Sequence, residues 1–306
     1  MKIYDHTYKQ YFALDDNPHR KYPIHSALRS RMEAFASHGN EDQSRDEVLR
    51  DTFETLQERL KHSTPEMLSE HDPLQDSAMN IVEWGDIETV DLLLAHGADI
   101  NARNGYGETL FLSSFDSQLV DKSRFADFAD QLLERGADIN CQSDTGATAL
   151  HQTIQRHYNH FEGASYLLER GADPSLHLVE TGENALHLAV QQADARVMEK
   201  IIEAHPELLN SQDFRGDTPL HCASRVGSDV LLAHGADTYV LNHAGDDVLT
   251  LLKRTRDEYA IDKEWYQDII ENIEFHRVEK LRGSLTQGIP KAQQEESEGE
   301  KKTRLM

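Results

Sequence analysis

Two short phrases return along this chain at a fixed mutual distance. The first is Leu92–Ala102, LLLAHGADINA. It recurs as LLERGADINC at Leu132–Cys141, LLERGADPSL at Leu167–Leu176 and LLAHGADTYV at Leu231–Val240. A diverged copy, IIEAHPELLNS, spans Ile201–Ser211. The reference positions Gly97, Gly136, Gly171, Pro206 and Gly235 are 39, 35, 35 and 29 residues apart. The second phrase reads Gly107-Glu-Thr-Leu-Phe-Leu112, Gly146-Ala-Thr-Ala-Leu-His151, Gly182-Glu-Asn-Ala-Leu-His187 and Gly216-Asp-Thr-Pro-Leu-His221, with a weak copy at Gly245–Thr250. Its third residue follows the reference position by 12, 12, 13, 12 and 12 residues. A constant interval there, with variable length elsewhere, means a rigid turn joined to helices of elastic length. Repeats of this period form stacked arrays, because one unit cannot bury its apolar face alone.

The residue types supply the local physics. Thr218 is placed to cap a helix, and Pro219 sits in the first turn, where its missing N–H costs nothing. The four reference glycines follow apolar helical runs and can take the left-handed conformation that ends a helix. Asp99, Asp138, Asp173 and Asp237 are placed to bond backbone amides in the following turn. Leu92–Leu94, Leu132 and Leu133, Leu167 and Leu168, and Leu231 and Leu232 would form the core between units.

These phrases resemble the ankyrin repeat, over roughly Asp76 to Leu252. The resemblance implies an all-α solenoid of about six units, each two antiparallel helices with a β-hairpin finger at one edge. A unit at Asp76–Gly85 is diverged but keeps the 12-residue interval from Gly85 to Gly97. Three units depart from the family's 21 residues between helix start and reference glycine. Thr109 to Gly136 spans 27, Thr148 to Gly171 spans 23, and Thr218 to Gly235 spans only 17. The last has lost about one helical turn.

The flanks do not repeat. Residues 1–72 are expected to form an N-terminal helical cap or small domain, with helical periodicity over His25–His38 and Asp46–His62. The array occupies 73–255. Residues 256–286 should be a capping helix, read as one amphipathic segment over Asp257–Arg282, and 287–306 a disordered tail.

Charge narrows the partners. The chain has 31 Lys and Arg against 55 Asp and Glu, a net charge of −24. The array alone holds 12 basic and 29 acidic residues. Such a surface repels nucleic acid and anionic membranes and favours a basic protein partner. No segment resembles a signal peptide or a membrane span, so a cytoplasmic protein is expected, or one secreted into a host cell if it is an effector. A monomer is the expected state.

No nucleotide loop, zinc-protease pair or serine elbow occurs. No catalytic residue, metal or cofactor is assigned. His151, His187 and His221 occupy one position in successive units, too far apart to share an ion, since packed helices lie about 8–10 Å apart and zinc ligands about 2 Å from their metal. Only two cysteines, Cys141 and Cys222, are present. The alternative reading is an enzyme or metal-dependent protein with its site in the N-terminal segment or near His157 and His160, its repeats recruiting substrate.

By the resemblance, fingers and first helices face a protein partner. After the finger turns these positions are Tyr106, Glu108, Asp144, Thr145, Phe214, Arg215, Asp217 and His243. On the first helices they are Asp116, Gln155, Arg156, Gln191, Gln192 and Arg225. Exposed aromatics and arginine dominate interface energetics, so Tyr106, Phe214 and Arg215 lead. The implied function is a non-catalytic interaction module with an acidic recognition face. Its specific forms are an inhibitor or immunity protein, or a bacterial effector.

Overall fold

The computed structural model describes residues 22–36, 43–72, 75–115, 122–155, 160–258 and 263–287. The chain divides into two compact units, residues 1–180 and 181–306.

The first unit opens with α1 (Pro23–Ala36), α2 (Gln43–Leu60) and the short α3 (Pro65–Ser69). Helix α1 packs on α2 and on a 3-10 turn at Met79–Ile81, which stands in for the first helix of the diverged repeat. Its second helix is α4 (Ile87–Ala95). Two repeats follow, α5 (Leu110–Ser114) with α6 (Lys122–Glu134), and α7 (Ala149–Gln155) with α8 (His160–Glu169). The residues added between Thr109 and Gly136 partly lengthen the second helix, since α6 has 13 residues and α4 has 9.

The second unit holds α9 (Ala185–Gln191) and α10 (Ala195–Ala204), then a 3-10 turn at Pro206–Asn210. Next come α11 (Arg225–Ala233), α12 (Val248–Glu258) and α13 (Lys263–Gln287). The turn missing from the short repeat is taken from its first helix. Residues 219–222 make only a turn, and α11 is the unit's second helix. The segment expected as one helix over Asp257–Arg282 is divided, with α12 ending at Glu258 and α13 beginning at Lys263.

The turn chemistry follows from the repeated phrases. Gly97, Gly136, Gly171 and Gly235 have φ between 86° and 89°, a region costly for any residue with a Cβ. The motif aspartates each accept from the amide two residues on, at 2.8–3.0 Å. Neighbouring repeats are then stapled by asparagine. Asn101 donates to the Gly136 carbonyl at 3.0 Å and accepts from the Asp138 amide at 2.8 Å. Asn140 does the same toward Gly171 and Asp173, and Asn210 accepts from the Asp237 amide. These bonds tie the helix-end turn of one unit to the same turn of the next, whatever the length of the helices between them.

Of the expected leucines, Leu231 and Leu232 are both buried, and in the other units one member carries the core. Leu93, Leu132, Leu167 and Leu231 are fully buried, whereas Leu94, Leu133 and Leu168 are half-buried. Among the described residues no strand forms. The fingers are tight turns closed by bonds such as Asn104 N–H to Glu108 C=O at 2.8 Å and Asp213 N–H to Asp217 C=O at 2.9 Å. The hairpins implied by the resemblance are therefore reduced to their turns.

Candidate partner-binding surface

The helix starts set the finger angle. At three of the unit starts, a histidine three residues on bonds back to the capping residue. The Nδ1 atoms of His151, His187 and His221 accept from the amides of Thr148, Asn184 and Thr218 at 3.1–3.4 Å. This is a capping box with histidine in the place usually held by Glu or Gln. Asn184 completes it by accepting from the Leu186 and His187 amides. Thr218 departs from expectation, because its hydroxyl meets the His221 ring at 2.8 Å. With Nδ1 accepting, the ring proton lies on Nε2, which donates to the Asp217 carbonyl from His187 and the Asp246 carbonyl from His221. Burial pushes His151 down to about 4 and also lowers His187. Burial keeps both rings neutral, and the Nδ1 of each is engaged by its own capping residue.

In the first unit the fingertips are joined by single backbone bonds. Asp144 N–H donates to Tyr106 C=O at 3.0 Å, and Val179 N–H donates to Thr145 C=O at 2.9 Å. Tyr106 is 65% exposed while its amide is fixed by Asn104 Oδ1 at 2.9 Å. The ring is presented on a rigid stem. Asp144 and Thr145 are also exposed, Asp144 within 3.8 Å of Arg103 and Thr145 bonded to Ser143. Glu108 is recessed and shared between Asn104 and Gln152. Gln155 is exposed at the end of α7. Asp116, Arg156, His157 and the His160 side chain lie outside the described residues.

In the second unit Phe214 N–H donates to Thr181 C=O, and His243 N–H donates to Arg215 C=O, both at 2.9 Å. Phe214 is 55% exposed, with its ring against Gly182, where an added Cβ would stand 2.4 Å from Phe214 Cδ1. Arg215 and His243 are exposed at the same edge. Asp217 is tied inward, accepting from Asn242 at 2.7 Å while its carbonyl receives His187. Gln191 is exposed and bonded to Glu183, and Gln192 ends α9.

Arg225 is not on a first helix. The lost turn moves it to the start of α11, where it pairs with Asp268 of α13 at 2.9 Å. Two exposed residues escaped the sequence reading. Val179, 60% exposed, holds the fingertip position in the one interval that is 13 residues long, which shifted it out of register. Leu241, 57% exposed, precedes the His243 tip.

Neither cysteine suits nucleophilic chemistry. Burial raises the Cys141 thiol and pushes Cys222 up to about 12, where Asp217, Asp213 and Glu183 add to the effect. Among the described residues no group of three or more His, Cys, Asp and Glu side chains is arranged to hold a metal. No described helix is long and apolar enough to cross a membrane.

Comparison with known proteins agrees with this architecture. The ankyrin-repeat family model matches residues 78–177 and 117–208. Ankyrin repeat domain-containing protein 13B of mouse and of human is 40% identical over 80 residues, which is 25% of this chain and 13% of theirs. The chain therefore spans a small part of these relatives. The ankyrin repeat domain of Bcl-3 superposes with a TM-score of 0.53 at 21% identity, covering 75% of this chain and 92% of that one. A chain from the complex of a predatory endopeptidase of Bdellovibrio bacteriovorus with immunity protein Bd3460 gives 0.50 at 20% identity, covering 66% and 99%. With its recurring phrases, helix pairs and fingers, the chain is an ankyrin-repeat protein. Its repeats make it a protein–protein interaction module.

Proposed function

We propose that this module binds a protein of basic surface along its fingertips, and that it acts as an inhibitor of that protein. The observation that carries the reading is the pairing of rigid, exposed Tyr106, Phe214 and Arg215 with an array of 12 basic and 29 acidic residues. Fixed aromatics supply contact area at low entropic cost, while excess acid steers a basic partner toward the face. The resemblance to a chain of an endopeptidase–immunity protein complex favours an inhibitory form over a scaffolding one.

The test is affinity capture from native lysate with mass spectrometry, wild type beside a Tyr106→Ala, Phe214→Ala, Arg215→Ala variant matched for helicity. The purified partner's Kd should weaken at least about tenfold in the variant, a loss typical of hot-spot truncation. It should also weaken as salt rises. A partner held equally by both proteins sinks the fingertip assignment. An acidic partner sinks the electrostatic one, and a partner whose activity is unaffected sinks inhibition.

A further inference from the structure

The C-terminal helix α13 has a second apolar side. Its inner side is Ile269, Ile270 and Ile273, each at most 1% exposed, packed on α11 and α12. Its outer side carries Phe275, Val278 and Leu281, at 61%, 45% and 58% exposed. Spaced by threes, these residues lie along one stripe of the helix. None of the described residues from 278 to 282 is buried. The last turns of the helix thus run on beyond the packed Ile face. Such turns are marginal in water unless an apolar face is covered.

The stripe reads the same in both directions about Val278. Three residues out stand Phe275 on one side and Leu281 on the other, and four residues out stand Glu274 and Arg282. A two-fold axis through Val278 with helices antiparallel would therefore place Phe275 of one copy on Leu281 of the other. It would place Glu274 on Arg282, twice per pair. A parallel pairing would set Glu274 against Glu274 and Arg282 against Arg282. Both charged groups are presented at the surface, Glu274 bonded to Lys253 at 2.7 Å and Arg282 to Glu279 at 2.8 Å. The helix also carries little net charge for an acidic protein, so two copies of it repel weakly. Residues 263–287 hold four basic and five acidic side chains. We propose that α13 is a self-association surface, pairing antiparallel with α13 of a second copy of this chain about an axis at Val278. This replaces the expectation of a monomer and is independent of the fingertip reading, which uses other residues.

The register makes the test specific. Sedimentation equilibrium of the full chain, from about 1 to about 300 µM, should give a monomer–dimer Kd in the micromolar range expected of a small interface. Val278→Asp sets two carboxylates together on the axis and should abolish the dimer. Glu274→Arg and Arg282→Glu each create like-charge contacts, and each should weaken association about tenfold. The double variant Glu274→Arg, Arg282→Glu restores complementarity and should return Kd to within about threefold of wild type. Circular dichroism confirms that every variant stays folded. Should Val278→Asp fail that check, Val278→Cys provides the second route, since its thiols would meet across the axis and form a disulfide-linked dimer on mild oxidation. A wild type that remains monomeric throughout overturns the proposal, whether another protein or another part of this chain covers the stripe. A dimer indifferent to Val278→Asp overturns it, because association then uses another face. Single variants that weaken without rescue by the double overturn the antiparallel register.

Discussion

At the N-terminal end, α1 docks on the first repeat through two buried arginines. At the C-terminal end, α13 docks on α11 and α12 through three isoleucines. Arg31 is 4% exposed and forks onto Asp86, Nε to Oδ2 at 2.6 Å and Nη2 to Oδ1 at 2.9 Å. It also bonds the Thr89 hydroxyl and the Leu49 carbonyl, with its guanidinium over the Phe53 ring. Arg29 holds Asp72 and Asp76 in the same way. Burial keeps the Asp76 carboxyl above its usual range in spite of that arginine. The C-terminal helix has an arginine too, Arg277, bonded to Asp247 and Thr238, but it stands nearer the rim beside the isoleucine contact. An apolar contact tolerates small shifts. A buried, fully bonded ion pair is satisfied in one geometry only, and it costs dearly when half is removed. The N-terminal contact therefore specifies a single docking, whereas the C-terminal contact specifies mainly a face.

The hardest break in this comparison is Arg31→Met. It strands Asp86 without a cation in a buried site and should cost about 3–5 kcal/mol. Hydrogen exchange of α1 and α4 amides localises the loss better than a global midpoint, because two compact units need not unfold in one step. Adding Asp86→Asn should recover most of it. Asparagine still caps α4, as Asp86 does toward the Thr89 amide, and carries no charge to strand. Failure of that rescue would show that the arginine acts through packing alone. Ile273→Ala at the other end should cost about 3 kcal/mol, with the loss confined to α11, α12 and α13. No second substitution short of refilling the cavity should restore it.

The sequence spoke clearly where an interaction closes within a repeat and poorly where it spans the chain. Gly97, Asp99, Asn101 and His187 act on neighbours at constant offsets, so the offsets themselves are the signal. Tyr106, Phe214, Arg215 and His243 were legible as tips for that reason. The arginine latch was not, because Arg31 and Asp86 are 55 residues apart and nothing periodic links them. Helix α1 buries Arg29 and Arg31, two positions on nearly opposite sides, so the helical periodicity over His25–His38 could not single them out. Val179 was missed because of one inserted residue, and Arg225 was misplaced by one missing turn. A repeat pattern gives register only until its length changes. Helix α13 lies beyond the pattern, and its break from α12 left no mark in the periodicity.

A milder probe separates the ends by pH. His25 in α1 is buried, and its ring bonds the Glu70 carbonyl at 3.0 Å. Burial lowers its pKa, outweighing the nearby Asp72 carboxylate. A folded-state value below the unfolded one gives stability that is complete above 6.5, the ordinary histidine value, and is lost as pH falls through it. Exchange of α1 amides should therefore accelerate, relative to the intrinsic rate, between about pH 7 and pH 5.5, a window above ordinary carboxylate titration. His25→Gln should flatten that dependence. No buried histidine faces the isoleucines among the described residues of α13, so its amides should keep constant protection over the same window.

The smallest effect concerns the one ion pair that joins α11 to α13 among the described residues. Arg225 and Asp268 are 2.9 Å apart, but their side chains are 64% and 51% exposed. At such exposure, water and salt screen the attraction and both side chains lose rotamer freedom to make it. Arg225→Ala should change stability by no more than about 0.5 kcal/mol, and about 0.5 M salt should erase even that. The buried Arg31–Asp86 pair should keep its effect in the same salt, since counterions cannot enter between its partners. Measuring both variants at low and high salt thus ranks the two ends by burial of charge. If Arg225→Ala cost as much as Ile273→Ala, the C-terminal helix would be held by its rim, and apolar docking at that end would be wrong.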